Sequence, residues 1–150
     1  MIFQPFQGYS NHPCIRNCST SIEAMYCEYN WTLEYYSTMS RACGNCPNLT
    51  DCVKENCIAA DGIERAVETI NRLIPGPSIQ VCKHDVIIVN LENLLRSQRV
   101  TSIHWHGIKQ KGTPHMDGVS QITQCPIVPN TKFQYKYNFR VSFNNYQKFK

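Results

Sequence analysis

Eight of the nine cysteines of this 150-residue chain fall between Cys14 and Cys82, and that crowding limits the possible folds more than any other feature. The eight are Cys14, Cys18, Cys27, Cys43, Cys46, Cys52, Cys57 and Cys82, while Cys125 stands apart. Two chemistries use such a cluster. Cys43-x2-Cys46 followed by Cys52-x4-Cys57 has the look of a four-cysteine zinc knuckle, the first reading for a reducing compartment. In an oxidising compartment the same residues form bridges. Three Asn-x-Ser/Thr sequons, at Asn17, Asn30 and Asn48, share the region and favour a secreted, disulfide-bonded and glycosylated protein. Eight cysteines pair in on the order of 100 ways, so the connectivity stays open. One cysteine of the nine must lack a partner within the chain.

An extracellular protein carries an address, and the start MIFQPFQGYSNHPC has no apolar stretch long enough for a signal peptide. The secreted reading therefore implies that the true N-terminus lies upstream. No run anywhere is long enough to span a membrane. The net charge of +4 and pI of 8.6 are too mild to imply nucleic acid, and the basic residues near the end read as a solvated strand face.

Short alternating segments give the fold class. Residues 1–25 read as an extended lead-in. Cys27, Tyr29, Trp31, Leu33 and Tyr35 face one way and Glu28, Asn30, Thr32 and Glu34 the other, which is a half-buried strand. VIIV at 86–89 reads as a short buried strand, Val100 to His106 as another, and Phe133 to Phe143 alternate strictly with polar residues. Ile63, Val67, Ile70 and Ile74 instead sit at helical spacing behind Asp61, so periodicity alone predicts a helix there. Gly112, Pro114 and Gly118 mark GTPHMDG (residues 112–118) as turn chemistry. The whole reads as an all-β chain, most simply a sandwich.

Within the Val100–His106 strand, His104 and His106 are two residues apart and project side by side, their Cα atoms roughly 6–7 Å apart. That spacing suits two ligands for one metal, or one ligand each for two adjacent metals. Imidazole suits copper, zinc, iron or nickel. The plain alternative is two polar side chains on a solvent face, and two ligands are too few for a tight site.

The flanks favour the metal. HWHGIKQKGTPHMDGVSQITQCPI (residues 104–127) closely resembles the first copper-binding segment of multicopper oxidases, and is most similar to the arthropod laccase branch. PGPSIQVCKHDVIIVN (residues 75–90) resembles the strand–turn–strand of that family, and the run CGNCPNLTDCVKENCIAADG (residues 43–62) echoes the cysteine-rich stretch of that branch. The similarity extends over about residues 12–139.

The resemblance implies a cupredoxin-like Greek-key β-sandwich, incomplete here, divided as a cysteine-rich N-terminal extension (1–60), a truncated first plastocyanin-like domain (61–139) and a non-family tail (140–150). The family has a strand where periodicity put a helix over residues 63–73, so the strand is expected there. By the same resemblance, His104 would ligate a type 2 copper and His106 one of two type 3 coppers, in a trinuclear cluster shared with a C-terminal cupredoxin domain missing from this chain. Asp117 matches an outer-sphere acid that helps deliver protons, although Asp-Gly on its own reads as a turn former. Cys125 matches a cysteine that bonds to a later domain, and the other eight would make four internal bridges. His12, His84 and His115 are weaker ligand candidates; His84 stands where the family has glycine, and His115 where it has an aromatic residue. The implied activity is oxidation of diphenols or similar donors, a small phenolic reductant giving electrons one at a time while dioxygen is reduced to water. Ferroxidase, ascorbate-oxidase and non-catalytic secreted-module readings stay open beside it. The family's cluster takes four H-x-H pairs and this chain has one, so the chain is expected to be inactive alone.

Overall fold

Alternation builds the first strand. The computed structural model describes residues 11–18, 23–96, 98–140 and, for the backbone alone, 146–149. Parts of the expected lead-in (1–10, 19–22) and of the expected tail (141–145, 150) lie outside these residues. In β1 (Tyr26–Ser37), Cys27, Tyr29, Trp31 and Leu33 are buried, while Glu28 and Asn30 are exposed. The remaining strands are β2 (Ala66–Ile70), β3 (Ile79–Cys82), β4 (Val86–Asn93), β5 (Thr131–Asn138) and β6 (Tyr146–Phe149). One sheet has the order β2-β1-β4-β5, and a second pairs β3 with β6.

The register explains the core. β1 runs parallel to β4, with Tyr29 opposite Val89 and Trp31 opposite Leu91, and β5 runs antiparallel to β4, with Tyr135 opposite Val89 and Tyr137 opposite Ile87. One face of the sheet therefore presents Tyr29, Trp31, Ile87, Val89, Leu91, Tyr135 and Tyr137 to a single buried cluster. The opposite face carries a polar ladder. Asn90 Nδ2 donates to Glu28 Oε1 at 2.7 Å and to Asn30 Oδ1 at 3.0 Å, and Gln134 Nε2 donates to Asn90 Oδ1 at 2.8 Å. This is the all-β, mostly-sheet arrangement expected of a cupredoxin-like chain.

Residues 66–70 form β2, antiparallel to β1, where local periodicity favours a helix. Pairing with a long partner strand wins over spacing, and the Thr69 hydroxyl donates to the Glu34 carbonyl at 3.1 Å to fasten it. Val100–His106, read as a strand, is not one. Only Thr101 bridges, to Ile127, and residues 102–107 follow an irregular course. The expected division at residue 60 falls between β1 and β2, two strands of one sheet.

Eight cysteines make four bridges: Cys14–Cys27, Cys18–Cys82, Cys43–Cys57 and Cys46–Cys52. The zinc-knuckle sulfurs are thus paired with one another, around a short α1 (Leu49–Cys52). Cys125 is free and exposed, and the sequon residues Asn17, Asn30 and Asn48 are all exposed. Among the described residues no helix is long and apolar enough to cross a membrane.

Candidate metal centre

The histidine segment is held by three anchors rather than by a strand ladder. At its entrance, buried Asn93 at the end of β4 donates to the carbonyls of Arg99 (3.1 Å) and Ile127 (2.9 Å), and Thr101 and Ile127 exchange backbone hydrogen bonds. In the middle, the Ile103 amide donates to the Tyr135 hydroxyl at 2.8 Å. Burial pushes the Tyr135 phenol up, so it stays protonated at physiological pH. At the far side, the Trp105 amide donates to the Asp117 carbonyl at 3.3 Å.

Trp105 is the wedge of the motif. It is 7 % exposed and lies 5.8 Å from Trp31, 5.4 Å from Tyr135 and 5.1 Å from Tyr137, ring centre to ring centre. Such contacts fix a ring by edge and face packing as well as by area buried. With Trp105 driven into the core, its two neighbours point outward. Both histidines are exposed, their rings 5.8 Å apart and inclined at 78°. The side-by-side projection expected of a strand survives without the strand, because one buried residue between two exposed ones is enough to impose it.

Hydrogen bonding distinguishes the two rings. His104 Nδ1 lies 2.9 Å from the Asp117 carbonyl oxygen, which only accepts, so Nδ1 donates, and in the neutral ring Nε2 is the nitrogen with the free lone pair. The Asp117 carboxylate lies 3.6 Å from the same Nδ1. No hydrogen bond engages His106 among the described residues. Next to the pair opens a cavity of about 310 Å³ whose walls include Trp31, Ile70, Ile79, Ile103 and Ile108. Two outward-facing imidazoles beside an apolar wall suit copper, whose ligands include imidazole. The donor set is also incomplete. Among the described residues, no third His, Cys, Asp or Glu completes a metal-binding trio with them. The one trio among the described residues close enough to share an ion, Cys14, Cys27 and Asp85, has its two sulfurs already bonded together.

Asp117, 13 residues further along the chain, thus lies against His104, which stands beside His106. His115 lies on the 3-10 turn Pro114–Met116, exposed, and His84 lies in the β3–β4 turn. His12 stacks on Tyr29 at 4.3 Å and faces the Glu28 carbonyl, a packing role. Sequence reasoning missed Tyr135, whose hydroxyl sets the segment, and Asp85, a buried carboxylate. The signal for Tyr135 was present only as one aromatic residue in an alternating strand.

Similarity to known proteins extends this geometry. The family model described as multicopper oxidase matches residues 51–146, more than half of the chain. Laccase-1 of Cryptococcus neoformans var. grubii is 49% identical over 77 residues, covering 51% of this chain and 12% of that protein. The L-ascorbate oxidase of Cucumis sativus is 44% identical over 77 residues, covering 51% and 13%. Among solved structures, Fet3p, described as a multicopper oxidase that functions in iron import, superposes with a TM-score of 0.58 at 30% identity, over 76% of this chain and 18% of that one. The laccase of Botrytis aclada gives a TM-score of 0.56 at 30% identity, over 78% and 18%. The chain spans about one eighth of the length of the curated relatives it matches. These relatives are fungal and plant proteins. A cupredoxin-like sheet that sets an HWHG pair outward from a buried tryptophan, together with a family match over most of its length, shows that this chain belongs to the multicopper oxidases.

Proposed function

We propose that this chain supplies part of the copper shell of a laccase-like oxidase, with His104 as ligand to a type 2 copper and His106 as ligand to a type 3 copper. The observation that carries the reading is the outward pair of imidazoles with Nδ1 of His104 already bonded to the Asp117 carbonyl. Copper bound there supplies one-electron redox chemistry and a place for dioxygen. The chain's own residues do the rest. Trp105 holds the two imidazoles apart and steady, and an apolar wall stands beside them. The Asp117 carboxylate lies 3.6 Å from His104 Nδ1, and that nearness supports a part in proton delivery, since reduction of dioxygen to water would consume protons.

The remaining ligands would come from a further cupredoxin domain, as the family pattern implies, and exposed Cys125 would bond to a later domain. The proposed domains are a cysteine-rich N-terminal stretch over 1–60, which lends β1 to the sheet, a first plastocyanin-like domain over 61–139, and a tail beyond it. The four bridges and the exposed Asn17, Asn30 and Asn48 support a secreted glycoprotein, because oxidising compartments retain disulfides. The cysteine run at residues 43–62 supports the arthropod laccase branch. The reducing substrate is a diphenol or similar donor; the ascorbate oxidase and the iron-import oxidase among the similar proteins favour ascorbate or ferrous ion as the second reading.

The test is oxygen uptake by the complete polypeptide that contains this chain, loaded with copper and offered a diphenol, ascorbate or ferrous ion in turn. Fastest uptake with the diphenol is expected, with loss of the type 2 electron paramagnetic signal in His104→Ala. Copper-loaded protein that consumes no dioxygen with any of the three donors would sink the proposal.

A further inference from the structure

We propose that Gly118 is a positioning residue for His104, and that Asp117 acts on His104 through its backbone carbonyl as well as through its carboxylate. Gly118 is buried and has φ of +78°, the left-handed region that side chains disfavour. A Cβ built on it would overlap the carbonyl oxygen and carbon of Ile103 and come within 3.0 Å of the His104 Cα. Backbone, not a flexible side chain, occupies that space. Only a residue without a side chain lets the 117–118 turn close onto the Ile103–His104 peptide. That closure brings the Asp117 carbonyl to 2.9 Å from His104 Nδ1 and 3.3 Å from the Trp105 amide.

The consequence is a fixed tautomer. A carbonyl oxygen has no proton to give, so the contact requires hydrogen on Nδ1 and, in the neutral ring, leaves Nε2 as the one basic nitrogen. Partners of this kind orient a ligand ring before any metal arrives. The role of this nitrogen in metal binding rests on the reading of His104 as a copper ligand; the tautomer and its dependence on Gly118 do not.

A second glycine provides the control. Gly112 has φ of +84° with nothing within 4 Å of its built Cβ. Gly112→Ala therefore meets comparable backbone strain without an overlap.

The experiment uses the full 150-residue chain without metal. Proton–nitrogen correlation spectra of the imidazoles are recorded in mildly alkaline solution, where neutral rings report their tautomer. His104 protonated on Nδ1 is expected in the unaltered chain, in Asp117→Ala and in Gly112→Ala. Gly118→Ala is expected to lose that single-tautomer signature while mass spectrometry still finds four bridges. Three outcomes overturn the proposal: an Nε2 proton on His104 in the unaltered chain, a changed tautomer in Asp117→Ala, or a Gly118→Ala spectrum matching that of Gly112→Ala. If Gly118→Ala does not fold, Gly118 is a folding requirement rather than a positioning residue and that part of the proposal falls, while the unaltered and Asp117→Ala spectra decide the role of the Asp117 carbonyl. Titration with Cu²⁺ alone then separates the two readings, since absent binding removes the metal assignment and leaves the tautomer result standing.

Discussion

Arg16 grips Asp85 with two hydrogen bonds, Nη1 to Oδ2 at 2.9 Å and Nη2 to Oδ1 at 2.7 Å. The Asp85 side chain is fully buried and also accepts from the amides of Met25 (2.9 Å) and Cys82 (2.7 Å). One carboxylate thereby joins the residues before β1 to the turn between β3 and β4. Burial disfavours the charge, but the Arg16 pair and the two amides outweigh it, and the carboxyl is held below its usual range.

That depression gives a pH dependence of definite sign. The stabilisation is fully present above the unfolded carboxyl value of about 3.9 and is lost as pH falls through the lower folded value. Asp85→Asn leaves Arg16 without its partner and is expected to cost about 3 kcal/mol near neutral pH. It should also flatten the loss of stability on acidification. Urea unfolding of both chains from pH 7 down to about 2 reads this out, and parallel acid limbs would contradict it.

The same corner carries the longest covalent loop. Cys18–Cys82 joins residues 64 positions apart, and closing a loop of that size in the unfolded chain corresponds to about 4 kcal/mol on the chain-entropy account. Replacing both cysteines by serine is expected to lower stability by that amount. Removing Cys46–Cys52, only six positions apart, should cost less. Denaturant midpoints of the two double variants should rank in that order.

His84 occupies the β3–β4 turn with φ of +77°, exposed, its amide donating to the Phe139 carbonyl at 2.8 Å. A non-glycine residue pays roughly 1–2 kcal/mol for that conformation, and glycine returns part of this through a more flexible unfolded chain. His84→Gly is therefore expected to stabilise by about 0.5 kcal/mol, a small rise in the denaturant midpoint. A fall in the midpoint would show that the imidazole makes a compensating contact.

These cases show where the sequence was readable. Strict alternation marked β1 and β5, because a half-buried strand writes its period of two directly into residue type. Over 63–73 periodicity alone pointed to a helix and the family resemblance to the strand that forms, since a five-residue strand against β1 is stabilised by its partner and leaves little periodic trace of its own. For the site, HWHG announced both imidazoles. The parts that aim them did not stand out: the Tyr135 hydroxyl and the Asp117 carbonyl act at backbone atoms, and backbone chemistry is the same for every residue. Asp85 lay between two strands in a run that resembled the family without marking a buried ion pair, and its partner Arg16 is 69 residues away.

Copper binding by this chain tests the two imidazoles directly. His104 and His106 offer two imidazoles 5.8 Å apart, and no third ligand joins them among the described residues. Two ligands held by a buried tryptophan are expected to take up Cu²⁺ weakly, with no turnover of a phenol. His104→Ala or His106→Ala should each weaken that uptake by at least about 10-fold, the lower end of what loss of even a supporting partner costs a metal site. His115→Ala should leave it unchanged, because His115 sits exposed on its own turn. Calorimetric titration of the four chains checks this. Uptake that survives in His104→Ala and disappears in His115→Ala would move the site to the 112–118 loop and would require a different set of ligands.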